Sequence, residues 1–175
     1  MKRAVPFVVA LLLLSAGCLG GDSLKVSSVF GDGEVIPVKY TCDGIDVNPP
    51  LYLEGLSDEA VSVAIIVDDP DAPFGTFTHW VAWNLPPVKE IPEALPKNGT
   101  VSSPISFSQG RNDFGRTGYN GPCPPRGKPH HYRFKVYVLD TMLDLKPGAT
   151  KKELERAMEG HVIQKGELVG LYARK

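Results

Sequence analysis

Asp69, His79 and His130 are the residues whose types and settings most invite chemistry. Asp69 belongs to the run Asp68-Asp69-Pro70-Asp71-Ala72-Pro73, which directly follows the apolar stretch Val61 to Val67. A buried strand that ends in acids and prolines makes rigid turns, and such turns aim carboxylates at a fixed point. His79 opens another apolar run, after Thr78 and before Trp80. His130 and His131 follow a Gly- and Pro-rich loop, Gly115 to Gly127, whose glycines permit close backbone approach to a ligand. Two imidazoles with carboxylates behind them can hold an anion, because the acid fixes the tautomer and favours the charged ring. The same four side chains, Asp69, Asp71, His79 and His130, could instead ligate Zn²⁺. The residues alone leave both readings open. No G-x-S-x-G elbow and no H-E-x-x-H motif is present, so neither serine hydrolase nor zinc protease chemistry has its usual signature.

The elements that must position these groups are mostly strands. Val61 to Val67 is β-branched and mostly apolar, the pattern of a buried central strand. His79 to Leu85 reads as a second strand. Tyr132 to Leu139 alternates, with Tyr132, Phe134, Val136 and Val138 on one face and Arg133 and Lys135 on the other. That period puts His130 on the face of Tyr132 and turns His131 away. Leu24 to Phe30, Val35 to Tyr40 and Leu168 to Ala173 complete the expected strands. One helix is expected after Pro147-Gly148. Thr150 and Glu153 have capping-box spacing, Leu154, Ala157, Met158 and His161 follow at helical intervals, and Gly160 suits its end. The expected fold is mainly β, an antiparallel sandwich with one or two peripheral helices. Pro86 to Pro129 carries little pattern, and loops of that length are usually functional or disordered.

The chain has 175 residues, enough for one domain with a full core. Its formal charge is −1, and no basic run interleaves with aromatics, which argues against nucleic acid as a partner. Residues 1–17 read as a lipoprotein-type signal. Lys2 and Arg3 precede the apolar run Ala4 to Leu14, and Ser15-Ala16-Gly17 lead to Cys18, the expected lipidated residue. The apolar run is shorter than the ~20 residues a membrane span needs. A plain secretory signal or an uncleaved anchor would leave Cys18 incidental. Residues 18–23 read as a tether and 24–175 as the domain, giving an exported, membrane-anchored protein at the cell surface. Cys42 and Cys123 remain, consistent with one disulfide in an oxidising compartment or with two buried thiols. Asn98-Gly99-Thr100 is a glycosylation sequon.

Several of these segments together resemble one family. Asp69-Pro70-Asp71-Ala72-Pro73, His79-Trp80, Gly118-Tyr119-Asn120-Gly121-Pro122-Cys123-Pro124-Pro125 and His130-His131-Tyr132 are similar to motifs of the phosphatidylethanolamine-binding protein family, in its bacterial and archaeal Raf-kinase-inhibitor-like branch. Ile36-Pro37, Lys39 to Gly44 and Asn48 to Leu51 fit as well, so the likeness runs from about residue 24 to 174. It implies a small, polar anion pocket of Asp69, Ala72, His79, Cys123, His130 and Tyr132, supported by Asp71, Asn48 and Pro73. Cys123 would offer backbone N–H, and Tyr172 takes no pocket role. The implied function is non-enzymatic binding of a phosphate-bearing ligand or phospholipid headgroup, with no cofactor. The alternative is a protein-binding inhibitor, protease inhibitor-like, or a regulator that uses surface loops such as Ile91 to Ser108. Binding is expected to strengthen as pH falls from ~8 towards ~6, as the histidines charge.

Overall fold

The computed structural model describes residues 23–175. Ten strands and one α-helix follow in the order β1 (Lys25–Ser27), β2 (Glu34–Val35), β3 (Leu51–Glu54), β4 (Ser62–Asp69), β5 (Phe77–Leu85), β6 (Glu90–Ile91), β7 (Thr100–Val101), β8 (Phe107–Gln109), β9 (His130–Leu139), α1 (Lys151–Ala157) and β10 (Val162–Tyr172). They form a three-stranded sheet, β1-β3-β6, and a seven-stranded sheet, β2-β10-β9-β4-β5-β8-β7.

Strand β4 explains the layering. All eight of its residues are buried. Val63, Ile65 and Val67 join a core with Val26, Leu51 and Leu53 of the small sheet. Ala64 and Ile66 join a second core on the other face, with Leu154 and Met158 around the helix. A strand covered on both faces has no polar alternation to show, and this one has none. Helix α1 starts where its capping box predicts. The Thr150 hydroxyl accepts from the Glu153 N–H, and the Glu153 carboxylate accepts from Thr150.

Four expectations need correction. The sheets are not wholly antiparallel, because β2 pairs parallel to β10. Val35 to Tyr40 is not one strand: after β2, Pro37 leads into a single 3₁₀ turn, Val38–Tyr40. The last strand begins at Val162 rather than Leu168, and pairs with β9 nearly end to end. His161 lies outside the helix, which stops at Ala157 before Gly160 takes a positive φ of 80°. The proposed signal, Cys18 and nearly all of the tether fall in residues 1–22, outside the described residues. Among the described residues no helix is long and apolar enough to cross a membrane.

Antiparallel order brings the site together. Strand β4 lies between β5 and β9, so its C-terminal end meets their N-terminal ends. Those ends carry Asp69, His79 and His130.

Candidate functional site

Alternation along β4 separates its two acids. Asp69 points to the face of Val67, and Asp68 to the face of Ile66. Asp68 is fully buried there, and its Oδ2 takes both Lys135 at 2.8 Å and Lys151 at 2.6 Å, which ties the helix to the sheet. Asp69 instead accepts from His130, Nδ1 to Oδ2 at 2.7 Å, with both side chains largely buried. Its Oδ1 accepts the Asp71 backbone N–H at 2.8 Å, a local turn bond that fixes the carboxylate.

A β-bulge sets His79. Val67 opposes Trp80, but Asp68 opposes Thr78, so His79 is the extra residue. A bulge re-aims the side chain it inserts. Trp80 keeps its place in the core, while the His79 ring packs edge-on to Tyr132, centroids 5.2 Å apart. The His79 Nδ1–H donates to the Asn120 carbonyl at 2.7 Å, which leaves Nε2 with the free lone pair in the neutral ring. Burial lowers the His79 pKa below its usual 6.5, outweighing the Asn120 carbonyl and the Asp69 charge that favour protonation.

Tyr132 lies behind the His79 ring. It is wholly buried, and its hydroxyl, beside the Asp69 carboxylate and the Cys123 N–H, makes no well-formed hydrogen bond to either. Among the described residues two other buried polar atoms share that condition, Asp68 Oδ1 and Trp83 Nε1, and both residues belong to the helix side of the sheet. Burial first, then the Asp69 charge, raises the Tyr132 pKa far above the usual range, so the phenol stays a donor.

Asp69, Ala72, His79, Cys123 and His130 are among the residues that line one cavity of about 400 Å³, while Tyr132 packs behind His79 and does not line it. Pro73 lines the cavity directly rather than supporting it from behind. Asp71 does not back the pocket histidines. Its Oδ2 accepts the His131 N–H and meets His131 Nδ1, on the exposed side, and these bonds hold its carboxyl below the usual range. Asn48 is also remote from the lining. It is buried among loops, accepting from Leu95 N–H and donating to the Pro92 carbonyl. Tyr172 bonds Asp43 and borders a different groove.

A disulfide holds the Cys123 wall. Cys42 and Cys123 are bonded across 81 residues. The Cys42 N–H also donates to the Pro122 carbonyl. Gly121 lies so close to the Tyr40 carbonyl that a Cβ there would stand 2.1 Å from its oxygen, and the Gly121 N–H donates to Asp46. Glycine is needed at this position for lack of room.

The walls were not foreseen. Phe74, Phe77, Asp113 and Phe114 all line the cavity. Phe77 and Phe114 meet edge-to-face at 4.7 Å, and each also meets the His79 ring, at 5.4 and 5.3 Å. Asn112 folds the segment that presents two of them. Its Oδ1 accepts from the Phe114 and Arg116 N–H groups, and its Nδ2 donates to Gly118, Asn120 and His79 oxygens. The small, polar pocket read from the sequence therefore has largely aromatic walls, with Asp113 among them. The signal for Phe77 was present as an apolar residue before Thr78-His79, but the loop residues Asp113 and Phe114 sit in a stretch with no periodicity.

The groups do not gather as metal ligands. Among the described residues no three His, Cys, Asp or Glu side chains cluster to hold an ion. The zinc reading loses Asp71 to His131 on the outside.

Comparison with known proteins places this geometry in a lineage. Residues 26–173 match the family model described as phosphatidylethanolamine-binding protein. A UPF0098 protein of Pyrococcus horikoshii is 69% identical over 181 residues, an alignment that spans 100% of this chain and 91% of that protein. The crystal structure of a phosphatidylethanolamine-binding protein homologue from Chlamydia trachomatis superposes with a TM-score of 0.79 at 38% identity, over 87% of this chain and 99% of that one. Escherichia coli YbcL, described as a member of the mammalian family, gives a TM-score of 0.79 at 31% identity, with the same coverage of 87% and 99%. The match of nearly the whole folded chain, in sequence and in architecture, settles the relationship: the chain belongs to the phosphatidylethanolamine-binding protein family.

Proposed function

We propose that the cavity binds a phosphate-bearing ligand, free or as a lipid headgroup, without chemical turnover. The observation that carries this is the Tyr132 hydroxyl, buried behind the cavity beside Asp69 and the Cys123 N–H without a well-formed hydrogen bond to either. A buried donor left unmade costs about 1–3 kcal/mol. An oxyanion seated against the floor would satisfy it. His79 Nε2 and His130 stand beside the same space, and each can donate once charged. A phosphate monoester that carries its own proton could give that proton to Nε2 and take a hydrogen bond back. Asp69 has its Oδ2 engaged by His130 Nδ1 and its Oδ1 by the Asp71 N–H, so its carboxylate does not face the ligand unpartnered.

We read the protein as an exported, lipid-anchored form of this module. The Cys42–Cys123 bond suits an oxidising compartment, and the Lys2-to-Cys18 pattern suits a lipoprotein signal. The loop Ile91 to Ser108 gives little support to the inhibitor reading. It is tied down by Lys39–Glu93, by Asn48 and by Gln109, whose amide bonds the Pro96 and Asn98 carbonyls.

The test is calorimetric titration with inorganic phosphate. Tyr132→Phe should weaken binding about tenfold to a hundredfold, the effect of deleting one buried donor to a charged group. Its thermal stability should change little, because the hydroxyl makes no well-formed hydrogen bond in the free protein. Equal phosphate affinity in the variant and the wild type would remove the floor from the site.

A further inference from the structure

We propose that Asp46, a positioning residue outside the cavity, fixes which nitrogen of His79 carries the proton and so couples anion binding to proton uptake. The coupling rests on the oxyanion reading, while the hold on the ring is a property of the free protein.

Asp46 keeps an unfavourable backbone. Its φ is 60°, in the left-handed region that L side chains rarely adopt and glycine enters with less strain. Strain of this kind persists where the surroundings require the residue. Here they require its carboxylate. Oδ1 accepts the Gly121 N–H at 2.6 Å, and Oδ2 accepts from the Asn120 side-chain amide at 2.9 Å. Lys97 meets Oδ2 at 3.0 Å and also donates to the Asp46 backbone carbonyl, which holds the carboxylate in place. Asp46 itself does not line the cavity.

One peptide unit links this carboxylate to the imidazole. The N–H of Gly121 and the carbonyl of Asn120 belong to the same trans peptide, so they point in opposite directions. Asp46 takes the N–H on one side, and the carbonyl accepts from His79 Nδ1 at 2.7 Å on the other. The carboxylate therefore aims the carbonyl and, through the shared peptide, polarises it into a better acceptor. The neutral ring is held as the Nδ1–H tautomer, with a bare lone pair on Nε2. A lone pair cannot hold an oxyanion, so the ring must gain a proton when the anion binds. The other tautomer would donate from a neutral Nε2–H and need none. Burial opposes a proton on this ring, while the Asn120 and Gly121 backbone and the Asp69 and Asp113 charges favour one. The rings of Phe77, Phe114 and the neutral Tyr132 complete its surroundings.

Asp46→Gly removes the carboxylate and adopts the same φ without strain. Ring ¹⁵N shifts of the free protein near pH 8 should show His79 as the Nδ1–H tautomer in the wild type and as a mixture of both in the variant. By calorimetry, sulfate affinity should rise by up to about tenfold from pH 8 to pH 7 in the wild type, but only about two- to threefold in the variant, whose neutral Nε2–H already donates. Asp46→Asn keeps the bulk and an acceptor for Gly121 but loses the charge, and should fall between the two; it carries the test if the glycine variant does not fold. Lys97→Met leaves both loop bonds in place, and its tautomer and pH slope should match the wild type. A pure Nδ1–H ring in every folded Asp46 variant, or an equal shift in Lys97→Met, would overturn the role of the carboxylate. A tautomer shift in a protein that binds no sulfate at any pH would overturn the oxyanion reading and the coupling, and leave the hold of Asp46 on the ring standing.

Discussion

Removing the Cys42–Cys123 bond should cost about 4.5 kcal/mol of folding stability, the chain-entropy value for a closed loop of this length. For a domain of this size that corresponds to a fall of roughly 10–15 °C in melting temperature. The measurement is chemical denaturation of the Cys42→Ser, Cys123→Ser double variant against the oxidised wild type. The pocket should survive in the folded variant. The wall that carries Cys123 is also held by the Tyr119 hydroxyl on the Tyr40 carbonyl and by Gly121 on Asp46. The bond therefore acts chiefly on the unfolded chain, which it shortens, and little on the site. A loss below about 1 kcal/mol would show that the unfolded chain keeps these segments together without it.

The second large effect concerns protons. Sulfate does not change its charge over the neutral range, so its binding reports the protein's protons alone. Sulfate affinity should strengthen as pH falls, by up to about tenfold per pH unit for one bound proton. The strengthening expected from pH ~8 towards ~6 should extend lower. Burial keeps His79 neutral in the free protein below its usual 6.5, so the gain should continue past that point. The sign follows from linkage: the anion favours imidazolium, the free protein disfavours it, and binding takes up the proton. The same shift makes the His79 contribution to stability complete above about pH 6.5 and progressively lost as pH falls towards its folded value. His79→Asn keeps a donor for the Asn120 carbonyl but cannot charge, so its sulfate profile should be flatter. Identical profiles in the two proteins would assign the proton elsewhere.

What could be read from the chain was what depends on period and local bonding. The apolar run Val63 to Val67 in β4 announced a buried central strand, and Thr150 with Glu153 announced the helix start. The turn of His131 away from His130 followed from alternation alone, and Asp71 now shows where His131 goes. The misses have physical causes as well. Val162 to Glu167 is partly exposed and interrupted by Gly166, so its pairing with β9 left no alternating signal. Gly166 is there because a Cβ would meet the Leu24 carbonyl at 2.5 Å, a tertiary contact with no local trace. The bulge at His79 depends on the register of two strands and cannot be read from one. Asp113 and Phe114 reach the cavity only because Asn112 folds a loop by five hydrogen bonds to residues as far as 33 positions away. The residue motifs located the floor of the site, while its walls are a product of the folded chain.

The histidines themselves give the most direct test of the central claim. The chain has four, and long-range ¹H–¹⁵N correlation separates their ring nitrogens. Titration with inorganic phosphate near pH 6.5 should move His79 and His130, with the His79 Nε2 signal shifting from the unprotonated towards the imidazolium position. His131 and His161, paired with Asp71 and Asp140 away from the cavity, should stay in place. Saturating phosphate that leaves the His79 and His130 signals unmoved, or that shifts all four alike, would contradict an oxyanion site on this floor.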